Sequence, residues 1–245
     1  MEKVIVYGAT SAVATAVIQR MLERGDDVVM VGRNEQKLSA TSEHLFVLTK
    51  KRASFITSDF SDAKALRQSV KDADKQLSGA TVCLIAQGSL TRQEYAINDS
   101  KELQEAFAVN CFSVLFILQE IRLLFMEKKC GNIAVITSPA GDRGRQSNYI
   151  YGSSKGAVSI FLQGLRNELF PHDIKVLDIK PGFIDTPMTK DISKGPLFVK
   201  PEKVAQDIIH AISKGKKILY TPWYWKWVML IIKNLPSCVF DRLKL

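Results

Sequence analysis

Seven short runs of β-branched and aliphatic residues punctuate the chain: KVIVY, DVVMV, ASFIT, TVCLIA, GNIAVIT, IKVLDIK and KKILY. Longer stretches with helical spacing or loop signals separate them. TVCLIA and NIAVIT are apolar throughout instead of alternating, as strands covered on both faces must be. Strand following helix following strand predicts a parallel sheet with helices on both sides, the α/β doubly wound architecture. Helices are expected over 11–24, ending at Gly25, over 34 to about 50 from an N-cap residue type, and over 62 to about 75 after Ser61. Two longer ones are expected over 101–128 and 148–170, the second stopped by Pro171. There is no repeat, low-complexity tract or linker, but composition changes sharply after Tyr220, which divides the chain into a main domain, 1–220, and a tail, 221–245.

At 245 residues and 46% apolar content the chain can bury the core of one compact unit. Cys83, Cys111, Cys130 and Cys238 form no C-x-x-C pair, and His44, His172 and His210 stand far apart. Neither a metal site nor a disulfide framework is expected, and a reducing cytoplasm is the simplest home. The net charge of +9 is spread along the chain instead of forming one arm. It suits an anionic cofactor or an anionic lipid surface better than nucleic acid. KVIVY begins so near the N-terminus that no cleavable leader is expected before it.

The first strand runs into YGATSAVATAV. Gly8 takes the tight strand-to-helix turn, and Thr10, Ser11, Ala12 and Val13 are small enough for backbone to approach a phosphate at a helix N-terminus. A full dinucleotide fingerprint has glycines where Ala12 and Ala14 stand, so a plain turn packed with small residues also fits. After the second strand come Gly32 and Arg33, where an NAD enzyme carries a ribose-binding acid. An arginine there pairs with a 2′-phosphate, favouring NADP and leaving NAD open; the alternative is a solvated side chain opening a surface helix. Asp59 and Phe60 end the third strand on the ligand edge. Asp59 there accepts from an adenine amino group or caps the next helix, a task Ser61 can also perform.

In NYIYGSSKGA, Tyr151 and Lys155 are four residues apart and share a helix face, from which Tyr149 is rotated away. An adjacent ammonium draws a phenol from its ordinary pKa of about 10 toward neutrality, so that it can exchange a proton with a carbonyl or alcohol. Upstream, AVITSPAG leaves the fifth strand at Ser138, whose hydroxyl can hold a substrate oxygen beside that phenol. Singly, the Tyr–Lys spacing is a common helical coincidence and Ser138 an ordinary turn former. Together, behind a nucleotide-binding half, they point to one site.

With these residues the sequence resembles the short-chain dehydrogenase/reductase family over nearly its whole length to about Tyr220. The resemblance implies a single Rossmann fold with a seven-stranded parallel sheet, a homo-oligomeric assembly, and a catalytic set of Asn110, Ser138, Tyr151 and Lys155. Asn110, in EAFAVNCFSV, is a poor helix former in a helical pattern. The resemblance gives it a proton-relay water, and a buried hydrogen-bonded amide is the alternative. PGFIDTP matches the family's segment for the nicotinamide carboxamide, implicating Pro181, Gly182, Ile184 and Thr186, and LIAQG leaves Ala86 and Gly88 near the adenosine ribose while lacking the family's usual asparagine. The implied chemistry is hydride transfer from NAD(P)H to a ketone while Tyr151 donates a proton. A nucleotide-sensing protein without turnover is the reading from another class.

The tail, TPWYWKWVMLIIKNLPSCVFDRLKL, combines Trp223, Tyr224, Trp225 and Trp227 with a short aliphatic run and the cations Lys226, Lys233, Arg242 and Lys244. The run is shorter than the roughly 20 residues that span a bilayer, but suits an amphipathic helix in the headgroup zone. Packing on a partner subunit or over the substrate cleft is the alternative, and Pro236 splits the segment either way. GATSA, AQGSL and this tail resemble, within the family, bacterial decaprenylphosphoryl-2-keto-ribose reductase-type members, which implies a lipid-linked ketone and a cytoplasmic place at the inner membrane face. Ketoacyl thioesters and other hydrophobic ketones are the rival substrates. The segment 189–199, expected to cover the substrate, carries no diagnostic charge pattern.

Overall fold

The computed structural model describes residues 1–190 and 193–243. Lys244 of the tail, and Asp191 and Ile192 in the expected substrate cover, lie outside the described residues. The expected strands form one parallel sheet of β1 (Lys3–Tyr7), β2 (Asp27–Gly32), β3 (Ser54–Thr57), β4 (Val82–Ile85), β5 (Gly131–Ile136), β6 (Ile174–Pro181) and β7 (Ile218–Thr221), in spatial order β3-β2-β1-β4-β5-β6-β7. Alternate residues feed two cores. Val4, Val6, Met30, Leu84 and Ile179 face α1 (Ala12–Glu23), α2 (Glu35–Thr49) and α8 (Pro201–Ser213), while Ile5, Val31, Ile85, Val135 and Val176 face α3 (Ala63–Gln76), α6 (Ser113–Lys128) and α7 (Tyr149–Leu169). Because both faces are covered, neither phase of a strand is free to be polar, which is why the runs read as continuously apolar.

The connections leave β1 and β4 in opposite directions, so a crevice opens beyond their carboxyl ends. Gly8 sits at its base with φ +68°, and a β-carbon there would lie 2.5 Å from the Gln87 amide nitrogen. Both the left-handed backbone and the close approach of the β1 and β4 ends demand glycine.

The expected single helix over 101–128 is interrupted. A short α4 (Gln93–Ala96) precedes α5 (Ser100–Phe107), and a π-helical turn (Ala108–Phe112) separates α5 from α6. The extra residue of that turn sets Asn110 where its side chain reaches the loop after β4, an irregularity that a hydrophobic period does not register. By length and composition 100–128 could cross a membrane, but Ile117, Leu118, Ile121 and Phe125 are fully buried in the core against the sheet.

The tail begins one residue later than composition suggested, since Thr221 closes β7. It forms α9 (Trp225–Asn234) and α10 (Ser237–Phe240), separated at Pro236 as expected. Trp225 and Met229 are buried against the main domain. The Arg143 guanidinium donates to the carbonyls of Ile232 (2.6 Å) and Leu235 (2.7 Å) and lies 3.7 Å over the Phe240 ring. It thereby satisfies carbonyls at the end of α9 that the helix leaves unpaired.

Candidate active site

Loops at the carboxyl edge of the sheet enclose a cavity of about 380 Å³. Thr10, Ser11, Ala12 and Val13 line one part, at the start of α1. Ser11 caps that helix by accepting from the Ala14 amide, while the first-turn amides of Ala12 and Val13 have no acceptor within the helix. Ala86 and Gly88, after β4, follow along the wall. Ser138, Tyr151 and Lys155 face Pro181, Gly182, Ile184 and Thr186 across the remainder.

Helix α7 sets Tyr151 and Lys155 one turn apart on the cavity wall. Its start is held by the Ile150 amide, which donates to the Gln93 side chain at 3.1 Å. Lys155 is 3% exposed, and its ammonium donates to the carbonyls of Ile136 (3.2 Å) and Gln87 (3.5 Å) at the ends of β5 and β4. Burial lowers its pKa to about 8, against the opposing pull of Asp178 and Cys111. The phenol behaves contrary to the sequence expectation: burial raises the Tyr151 pKa, with the Ser138 hydroxyl acting weakly the other way. Ser138, extended at the end of β5, accepts from the Ala140 amide at 3.1 Å and keeps its own proton free to donate.

Asn110 is fully buried behind this wall. Its amide donates to the Ser89 carbonyl (3.0 Å) and accepts from the Ser89 amide (2.9 Å), which clamps the loop after β4. A β-carbon on Gly88 would come within 3.0 Å of the Asn110 oxygen and 3.1 Å of the Lys155 nitrogen, so three of the expected residues meet at one point.

Besides Gly8 beneath the cavity and Asn110 behind its wall, three expected residues lie off the cavity. Phe60 turns its ring into the core against Tyr7, with centroids 6.2 Å apart, so only its backbone is open to a ligand. Asp59 is exposed and accepts from the amide and hydroxyl of Ser61, which together hold its carboxyl below the ordinary value, while Asp62 caps α3. Arg33 is exposed at the end of β2, close enough to Asp59 to act on it electrostatically.

Several cavity residues escaped the sequence reading. Gln87 lines the cavity and donates to the Ser113 hydroxyl on α6 at 3.3 Å. Trp225 lies on Gly182, its indole nitrogen where a glycine β-carbon would be, and meets Phe183 edge-on at 5.4 Å. Arg145, Asn148 and Met188 also line the wall. Below it Lys180 pairs with Asp178 (3.4 Å) and with Asp142, which also accepts from the Tyr220 hydroxyl at 2.5 Å; Thr137 donates to Asp178. This buried network ties the loop after Ser138 to β6 and β7. Two of the three charges in IKVLDIK, Asp178 and Lys180, were its visible sign.

Residues 2–196 match the family model described as short chain dehydrogenase. An uncharacterized oxidoreductase of Mycobacterium tuberculosis is 25% identical over 240 residues, covering 98% of this chain and 96% of its own length. One from Staphylococcus epidermidis is also 25% identical, covering 89% and 94%. A crystal structure of a variant actinorhodin polyketide ketoreductase with NADPH superposes with a TM-score of 0.82 at 20% identity, covering 96% of this chain and 98% of its own, and so shares the fold. The chain belongs to the short chain dehydrogenase family and is an NAD(P)-dependent oxidoreductase.

Proposed function

We propose that the enzyme reduces a ketone to a secondary alcohol with NADPH. The observation that carries this reading is the meeting of Ser138, Tyr151 and Lys155 on one wall of a cavity whose other part is the glycine turn and open amides of the β1–α1 loop. Those amides and the Gly8 turn fit a pyrophosphate, with Ala12 among the small residues lining that part of the cavity. Bound NADPH supplies the hydride. Ser138 donates to the carbonyl oxygen and orients it, and Tyr151 passes its proton to that oxygen as the alcohol forms. Lys155, fixed by two carbonyls, has one N–H left for the nicotinamide ribose and places positive charge near the phenolate that remains. Asn110 holds the Gly88–Ser89 loop against them. Consumption of NADPH on adding a panel of ketones tests the reading; binding without consumption would instead favour a nucleotide sensor.

Arg33 supports NADP over NAD, as does the NADPH of the ketoreductase neighbour. It stands exposed beyond the Gly8 turn with an acid nearby, and a 2′-phosphate would meet its fork directly. Arg33→Ala is expected to weaken NADPH by about tenfold or more and NADH little, since a hydrogen bond to a charged group contributes about 1.5–3 kcal/mol. Equal losses in the two dissociation constants would remove the phosphate contact.

For the substrate, a keto-sugar on a polyprenyl phosphate fits the greasy cavity mouth formed by Phe183, Met188 and the tail, and ketoacyl thioesters are the alternative. The outward face of α9 and the residue leading into it support a membrane-surface enzyme on the cytoplasmic side: Trp223 before the helix and Trp227, Leu230 and Ile231 on it are 71, 54, 50 and 65% exposed, with Lys226 and Lys233 beside them. Trp227→Asp with Ile231→Asp is expected to abolish flotation with phosphatidylglycerol vesicles while leaving reduction of soluble ketones intact. Unchanged flotation would refute membrane contact. On the opposite side, Phe112, Leu123 and Ile160 expose apolar surface on α6 and α7 and their approach, which supports a homo-oligomer formed through those helices.

A further inference from the structure

The cavity holds polar groups that neither the hydride step nor the cofactor uses. Arg145 lies on the loop between Ser138 and Tyr151 and lines the cavity, and its buried Nε–H has no acceptor. The guanidinium forms no hydrogen bond or ion pair among the described residues. The acid that acts on it from a distance is Asp142, but both Asp142 oxygens are engaged, one by Lys180 and one by Tyr220. Burial accordingly pulls the guanidinium below its ordinary pKa. Trp225, 5% exposed, presents a second buried donor without an acceptor, its indole Nε1, beside Gly182 on the same cavity. The indole N–H is a donor only, and arginine has no acceptor at all, so both ask for oxygen lone pairs. A half-buried cation without a partner costs folding free energy, and the fold keeps this one at the wall that carries Ser138 and Tyr151.

We infer that Arg145, with the Trp225 indole N–H, binds an anionic group, carboxylate or phosphate, on the ketone substrate. This rests on the reductase reading and narrows it to ketones that carry a negative charge. A carboxylate or phosphate oxygen pair matches the arginine fork, and the hydrophobic surround of Phe183, Met188 and Trp225 strengthens the attraction by excluding water. The tail is thereby part of the specificity pocket, held there by the Arg143 contacts with the end of α9.

The test measures binding by calorimetry, with NADP⁺ present to fill the β1–α1 loop, for two matched pairs: levulinate against its methyl ester, and acetonylphosphonate against its dimethyl ester. The charged member of at least one pair is expected to bind wild-type protein about ten- to a hundredfold more tightly than its ester, and Arg145→Gln to erase that preference. The preferred pair tells carboxylate from phosphate. Arg145→Gln is expected to melt no lower than wild type, because it removes an unpaired charge; Arg145→Lys should restore part of the preference. Equal binding of charged and neutral probes by wild type, or a charge preference that survives Arg145→Gln, would overturn the inference. Arg145-dependent binding of a charged ketone that NADPH then fails to reduce would leave the anion site standing and defeat the reductase reading alone.

Discussion

Tyr151→Phe is expected to lower kcat for ketone reduction by about 10²–10⁴-fold, the usual contribution of a positioned general acid, while NADPH binding stays within about twofold of wild type. The substitution removes one oxygen from the cavity wall and leaves the ring, so packing against Ser138 and the rest of the wall is kept. Burial raises the phenol pKa, so in the ligand-free enzyme the neutral acid form persists at least to its ordinary value of about 10. The sign of the pH dependence follows. Reduction uses the protonated phenol and should not fail through Tyr151 anywhere in the neutral range, whereas alcohol oxidation uses the phenolate and should climb as pH rises into the alkaline range. Retention of kcat by the phenylalanine variant would remove Tyr151 from the chemistry; loss of NADPH affinity in step with kcat would make it a binding residue instead.

The sheet was legible because burial on both faces forces a composition. A strand such as VCLI, with every residue buried, has no polar option. The pairing of Tyr151 with Lys155 was legible for a similar reason, since helical geometry alone puts positions four apart on one face. What could not be read was anything fixed by residues distant in the chain. The direction of the Tyr151 shift is set by its burial, which depends on packing from several parts of the chain, not on the Tyr–Lys spacing. The role of Asn110 depends on a π-helical turn that brings it to Ser89, and a single extra residue in a helical run leaves the hydrophobic period almost unchanged. Trp225 looked like one aromatic among several; only the packing separates it, buried on Gly182, from Trp223 and Trp227, which face outward. Arg145 had no sequence signal, because its distinction is the lack of a partner where Asp142 is committed to Lys180 and Tyr220.

Lys155→Met should separate function from stability. The methionine keeps the unbranched stem but for its last atom and removes the charge, so turnover is expected to fall by at least the ten- to hundredfold that a charged hydrogen bond contributes. Stability responds in the opposite sense with pH. The folded pKa of about 8 lies below the ordinary lysine value of about 10.4, so between those limits the unfolded chain binds more protons than the folded one. Wild-type stability therefore rises with pH across that window, and the penalty of the buried charge is complete only below about pH 8. Methionine carries no such penalty but leaves the Gln87 and Ile136 carbonyls without their donor, a constant cost of about 1–3 kcal/mol. The difference between variant and wild type is thus the decisive quantity. Measured by denaturant unfolding, it should favour methionine most below pH 8 and shift toward wild type by about 3 kcal/mol as pH approaches 10.4. A difference that stays flat across that range would mean that Lys155 titrates as an ordinary lysine, and the constrained ammonium at the centre of the proposed proton transfer would have to be abandoned.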